Sequence, residues 1–174
     1  MLSMRIVTAE IVIKDIKRRD LPNIIKWYNG GQDYKYATGM DQPVTLEILI
    51  QKYLEVVYCG SEFFAGIQLK HNNDMIGLIK GRLKKGKVNS IWINSLIIDA
   101  RYRGDGYGTK SLNMISEYFK SRYDIKKIFI SVIMENQSGI RFWHKNGFKS
   151  IRKTNIRIML NGKGHNVVLM EKEV

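Results

Sequence analysis

The chain has 174 residues, 44% of them hydrophobic and 10% aromatic, with 29 Lys and Arg against 16 Asp and Glu for a formal charge of +13. That suits one domain over residues 1–174 and excludes disorder or low complexity, while the positive surplus attracts polyanions, phosphorylated cofactors among them. Apolar runs such as "LIIDA" and "VVLM" fall far short of the ~20 residues that span a bilayer, "MLSMRIVTAE" lacks a signal-peptide core, and the single Cys59 forms no internal disulfide, so a soluble, cytoplasmic protein is expected.

Residues 10–17, "EIVIKDIK", alternate apolar and polar side chains and predict a strand. In "RRDLPNIIKWYN", Asp20 stands as N-cap and Pro22 in the first turn of a short helix that Gly30-Gly31 ends. "VTLEILIQKYLEVVY" predicts a second helix, capped by Thr45. "FFAGIQLK", "DMIGLIKGRLK" and "SIWINSLIID" read as an antiparallel meander joined by "HNND" and "KKGK". Basic residues are spread along the chain and "RLKKGK" suits a solvated turn, so no nucleic-acid partner is required.

"RYRGDGYGTKS", residues 101–111, follows the third strand. Beyond it Leu112, Ile115 and Phe119 recur at helical spacing. "KKIFISVIM" is a strand, "QSGIRFWHKNG" a short helix closed by Gly147, and "FKSIRKTNIRIML" with "HNVVLMEKE" a hairpin around "NGKG". The order is β-α-α-β-β-β-α-β-α-β-β, an α+β domain on a mixed, mostly antiparallel central sheet flanked by helices.

Glycines so closely spaced let a backbone approach phosphate. A Walker-type loop needs glycine where Thr109 stands, and further strands to hold a metal carboxylate. A dinucleotide fingerprint needs G-x-G-x-x-G early in a βαβ unit, whereas this loop is G-x-G-x-G and comes late. A glycine turn without a ligand stays open as an alternative. The pattern R-x-x-G-x-G between strand and helix fits a third reading: successive amide N–H groups and a helix N-terminus converge on one anion. Here the chain resembles the GNAT superfamily of acyl-CoA-dependent N-acyltransferases. "NQSGIRFWHKNGF" is similar to that superfamily's second motif, with Asn136, Phe142, Gly147 and Phe148 in register and Gly139 as the small residue.

The resemblance implies acetyl-CoA as acyl donor and coenzyme A as product. It gives Leu96, Ile97 and Ile98 to the pantetheine and acetyl group through their backbone. Gly104, Asp105, Gly106, Tyr107, Gly108 and Thr109 go to the pyrophosphate, Arg103 and Lys110 to phosphate charge, and Asn136 to the pantetheine arm. It also exposes a departure. Where many members carry a tyrosine acid, this chain has Trp143, which can pack on the cofactor but supplies no proton. The two usual base positions hold Trp92 and Ser131. His144 and Tyr107 are the neighbouring substitutes, so no catalytic pair is assigned.

The implied reaction is direct transfer of acetyl to a primary amine in a ternary complex. "DLPNIIKWYN" and "TLEILIQKYL" resemble the branch holding aminoglycoside and ribosomal-protein acetyltransferases. Residues 29–65 contain five acids against two bases, a local balance of −3 in a basic chain. That expects Asp33 and Asp41, with the aromatic faces of Tyr34 and Tyr36, to draw a small cationic amine such as an aminoglycoside or polyamine. A protein N-terminal amine, or a non-catalytic acyl-CoA-binding module, are the alternatives. A homodimer is compatible with either.

Overall fold

The computed structural model describes the backbone of residues 1–40, 42–160 and 162–174, and their side chains except at 32, 33, 152–158 and 160. Eight strands form one sheet: β1 (Arg5–Val7), β2 (Ile11–Asp15), β3 (Glu62–Leu69), β4 (Met75–Lys84), β5 (Ser90–Ile98), β6 (Lys127–Ile133), β7 (Lys149–Leu160) and β8 (Lys163–Glu173). They lie in the order β1-β2-β3-β4-β5-β6-β8-β7. Among the described residues only β5 and β6 pair in parallel. A parallel pair needs a crossover, and α4 (Tyr107–Tyr123) supplies it.

Side-chain alternation on the strands feeds two cores. On one face Leu112, Ile115 and Phe119 of α4 pack on Ile11, Ile13, Phe63, Ile67, Ile91 and Ile128. On the other, α1 (Leu21–Tyr28) and α3 (Leu46–Tyr58) bring Leu21, Ile24, Trp27, Leu49 and Val56 onto Phe64, Leu78 and Ile97. Thr45 caps α3 as its sequence predicts, accepting from Ile48 N–H at 3.3 Å. Asp20 occupies the N-cap of α1, yet its carboxylate accepts from Lys17 N–H at 2.8 Å, fastening the preceding turn instead.

Two elements were absent from the expected order. The three-residue β1 is too short to show a period, and α2 (Gln32–Thr38) is a polar segment between Gly31 and Gly39 with no apolar stripe. α2 brings Tyr34 and Tyr36 to the end of β5. The remaining helix, α5 (Gln137–Lys145), ends before Gly147, which takes the left-handed φ of 85°.

Candidate active site

The parallel pairing of β5 and β6 stops at Ile93 and Ile130, although β5 runs on to Ile98 and β6 to Ile133. On its other side β5 carries a bulge. Lys80 faces Ser95 and Gly81 faces Ile93, so Asn94 is the extra residue and the strand bends there. The two strands therefore part, and a cleft of about 410 Å³ opens between Ile93–Ile98 and Ile130–Val132. It is closed at one end by the glycine loop, at another by α5, and flanked by Tyr34 and Tyr36 of α2.

The three glycines of the loop are needed for different reasons. Gly104 and Gly106 have φ of 94° and 81°, where other residues are strained. Gly108 has an ordinary φ, but a Cβ there would lie 3.1 Å from the Phe142 ring. Its smallness thus lets α4 pack on α5, a packing role beside the expected approach to phosphate. Gly106 is also the N-cap of α4 and has no side chain with which to cap that terminus. The first amide N–H groups of a 17-residue helix remain available beside the cleft, which Gly106, Tyr107, Gly108 and Thr109 line.

The expected residues divide. Leu96, Ile97, Ile98, Arg103, Gly104, Gly106, Tyr107, Gly108, Thr109, Asn136 and Trp143 all line the cleft. Asp105 and Lys110 do not; Lys110 is ion-paired with Glu10 instead. Arg103 donates from Nε to the Ile98 carbonyl at 3.0 Å and lies 4.7 Å over the Tyr34 ring, which fixes it at the mouth. Asn136 caps α5: its Oδ1 accepts from Gly139 N–H at 2.9 Å, and a Cβ at Gly139 would collide with the Asn136 amide. Smallness at 139 is thus required by the cap itself.

Trp143 is buried, in edge contact with Phe142 and Phe148 at centroid distances of 5.0 and 4.9 Å. His144 points elsewhere: its Nδ1 lies 3.0 Å from the Phe148 carbonyl and so carries its proton there, and the residue lines neither cavity. Tyr107 lines the cleft and meets Tyr102 edge-on at 6.4 Å.

On the acceptor side, the Tyr34 hydroxyl accepts from Ala100 N–H at 2.9 Å, tying α2 to the end of β5. Tyr36 lines the cleft and packs near Ile133 and Val167. The Asp33 side chain and all of Asp41 lie outside the described residues. Glu47, Glu55 and Glu62, the other acids of that segment, line neither cavity, and Glu62 is bound by Arg82. Among the described residues the charged side chains lining the cleft are Arg103 and Lys145. A second cavity of about 210 Å³ adjoins it, lined by Tyr28, Thr38, Lys52, Lys80, Asn94 and Ser95 among others.

One buried acid had no signal in the sequence. Asp99, at the end of β5, accepts from Trp27 Nε1 at 3.2 Å and pairs with Lys26 and Arg101, both at 3.1 Å. Arg101 first of all, helped by the Arg101 amide, Lys26 and Trp27, holds its carboxyl well below the usual range. Asp99 pins α1 to the strand end from which the glycine loop departs. Its three partners are far apart in sequence or look like ordinary surface cations.

The model of the acetyltransferase (GNAT) domain matches residues 13–166. A Bacillus subtilis spermine/spermidine N(1)-acetyltransferase is 26% identical over 92 residues, which is half of this chain and 60% of that relative's length. Among solved structures, a Vibrio cholerae spermidine N-acetyltransferase in complex with CoA and spermine superposes with a TM-score of 0.81 at 18% identity, over 95% of this chain and 96% of that one. A Salmonella typhimurium acetyltransferase that modifies the N-terminal serine of ribosomal protein L7/L12 gives 0.84 at 16% identity, over 98% and 99%. At these identities the superpositions establish the fold, and the family model, which covers most of the chain, establishes membership: the protein belongs to the GNAT acetyltransferase family.

Proposed function

We propose that this protein transfers the acetyl group of acetyl-CoA to a primary amine. The observation that carries the reading is the cleft between the parted ends of β5 and β6, which ends at an α4 N-terminus left without a side-chain cap. The uncapped amides of α4, the left-handed Gly104 and Gly106, and the guanidinium of Arg103 suit a pyrophosphate. The apolar walls formed by Ile93, Leu96, Ile98, Ile130 and Trp143 suit a pantetheine arm. Acetyl-CoA supplies an activated thioester. The exposed polar groups at the strand ends orient its carbonyl, and the cleft walls exclude bulk water from it.

A polyamine is the proposed acceptor, because spermine and spermidine are the amines named for the Bacillus and Vibrio relatives. Tyr36 offers an aromatic ring to such a cation, while the Tyr34 ring carries the Arg103 guanidinium. A second reading, an N-terminal α-amine of a protein, is favoured by one observation: among the described residues no carboxylate lines either cavity, while Lys52 and Lys80 do. A cytoplasmic location accompanies both readings.

The test is coenzyme A thiol release in competition between spermidine and a short peptide with a free N-terminus. Faster turnover of spermidine supports the first acceptor, and faster turnover of the peptide supports the second. Tight acetyl-CoA binding with no release for any amine would make the protein an acyl-CoA-binding module.

A further inference from the structure

The acceptor must lose a proton before it attacks, and the two positions where the family resemblance puts a base hold Trp92 and Ser131. The second cavity offers another group. Lys80 lies on β4 directly across from Ser95, beside the bulge at Asn94, and its side chain lines that cavity. Asn94 and Ser95 line both cavities, so the cavity that Lys80 lines and the cleft lie on either side of these two residues. Ser95 Oγ is buried without a hydrogen-bond partner at this junction. Among the described residues, no hydrogen bond or ion pair reaches the Lys80 ammonium. We propose that Lys80 is the proton acceptor for the incoming amine, reached from the cleft through Ser95 Oγ or a water at the junction. The inference rests on the acetyl-transfer reading and holds for either acceptor.

Burial is the main influence on Lys80 and disfavours its charged form. Around it, Glu62 on β3 and Glu55 on α3 pull toward the charged form, while Lys52 on α3 and Arg82 on β4 push against it. Glu62 is itself held by Arg82. Tyr28 on α1, pushed up to about 12 by burial, stays neutral and takes no proton. The step balances simply. One proton passes from the acceptor ammonium to the neutral Lys80 amine and on to solvent. The freed lone pair forms the C–N bond as the C–S bond breaks, and the second amine proton ends on the departing sulfur.

The discriminating experiment compares two acceptors of different basicity in wild type, Lys80→Met and Lys80→Arg, with folding checked by thermal unfolding and acetyl-CoA affinity by calorimetry. Spermidine amines are as basic as lysine, about 10.4, whereas a peptide α-amine titrates at about 7.7–8.0 and is largely neutral without help near pH 8. With spermidine at neutral pH both variants should lose on the order of 10²–10⁴-fold in kcat/KM at unchanged acetyl-CoA affinity. With the peptide amine at pH 8 the loss should be roughly tenfold or less, and the variants should regain spermidine turnover as pH rises. Equal losses with both amines, or intact spermidine turnover, would overturn the assignment. NMR titration of the Lys80 side chain in wild type is independent of activity: titration below the ordinary lysine range is expected, and ordinary titration overturns the proposal. Absence of turnover in wild type with every amine would sink the acetyltransferase reading and the Lys80 assignment with it, whereas wild-type turnover with ordinary Lys80 titration would sink the Lys80 assignment alone.

Discussion

Gly108 and Trp143 meet at the wall of the cleft through one ring, Phe142. The glycine spacing marks the turn between β5 and α4 and gives Gly108 to phosphate approach, because a sequence carries no information about which neighbour a missing Cβ would meet. The structure sets Gly108 against Phe142, which in turn abuts Trp143. A Gly108→Val change should therefore displace Phe142 as well as narrow the loop. Coenzyme A affinity is expected to fall by on the order of tenfold, about 1.4 kcal/mol, in a protein that still folds but melts lower. Unchanged affinity by calorimetry in a folded variant would remove the loop from the site. Trp143, buried between Phe142 and Phe148, has a packing role that Phe can largely fill. Trp143→Phe should keep most turnover, and a ~10²–10⁴-fold drop in kcat at unchanged acetyl-CoA affinity would reveal a catalytic contribution.

Among the elements, the long periodic ones were legible and the short or polar ones were not. The meander, α3, α4 and the last hairpin all announce themselves by alternation or by helical stripes. α2 does not: it has no apolar stripe, its Tyr34, Tyr36 and Ala37 line the cleft, and its ends are marked by Gly31 and Gly39, with the Ala100 N–H donating to the Tyr34 hydroxyl. The parting of β5 and β6, which makes the site, is equally silent in sequence: it depends on one extra residue, Asn94, in the register with β4. Asp99 is the fastening between α1 and β5. Removing its carboxylate leaves the Trp27 indole N–H, in a side chain 1% exposed, without a partner, and Asp99→Ala should cost about 1–3 kcal/mol at pH 7. Because the folded state holds this carboxyl below its unfolded value of ~3.9, the stabilisation is complete above that pH and lost as pH falls toward the folded value. Urea unfolding at pH 7 and pH 3 should show the gap between wild type and variant narrowing in acid. A gap that stays constant would mean that the ion pairs contribute nothing.

For the molecule as a whole, the formal charge of +13 and the family of the chain are consistent with an anionic cofactor steered toward a basic surface. The acidic acceptor side expected from residues 29–65 rests on Asp33 and Asp41, and the Asp33 side chain and all of Asp41 lie outside the described residues. The other three acids of the segment do not line the cleft. Glu62 turns to Arg82, and Glu47 and Glu55 stay at the surface. Trp143, Trp92 and Ser131 show in the sequence itself that the acid and base positions of the family resemblance are altered, whereas the burial of Lys80 leaves no trace there. A lysine in an alternating strand looks like any solvent-facing cation until α1 and α3 cover it. The most direct measurement of the central claim is mass spectrometry of the products after incubation with acetyl-CoA and spermidine, with free thiol counted in parallel. The account predicts acetylated spermidine and coenzyme A thiol in equal amounts, both abolished when acetyl-CoA is omitted. Thiol release without an acetylated amine, or neither product from a protein that binds acetyl-CoA, would contradict it.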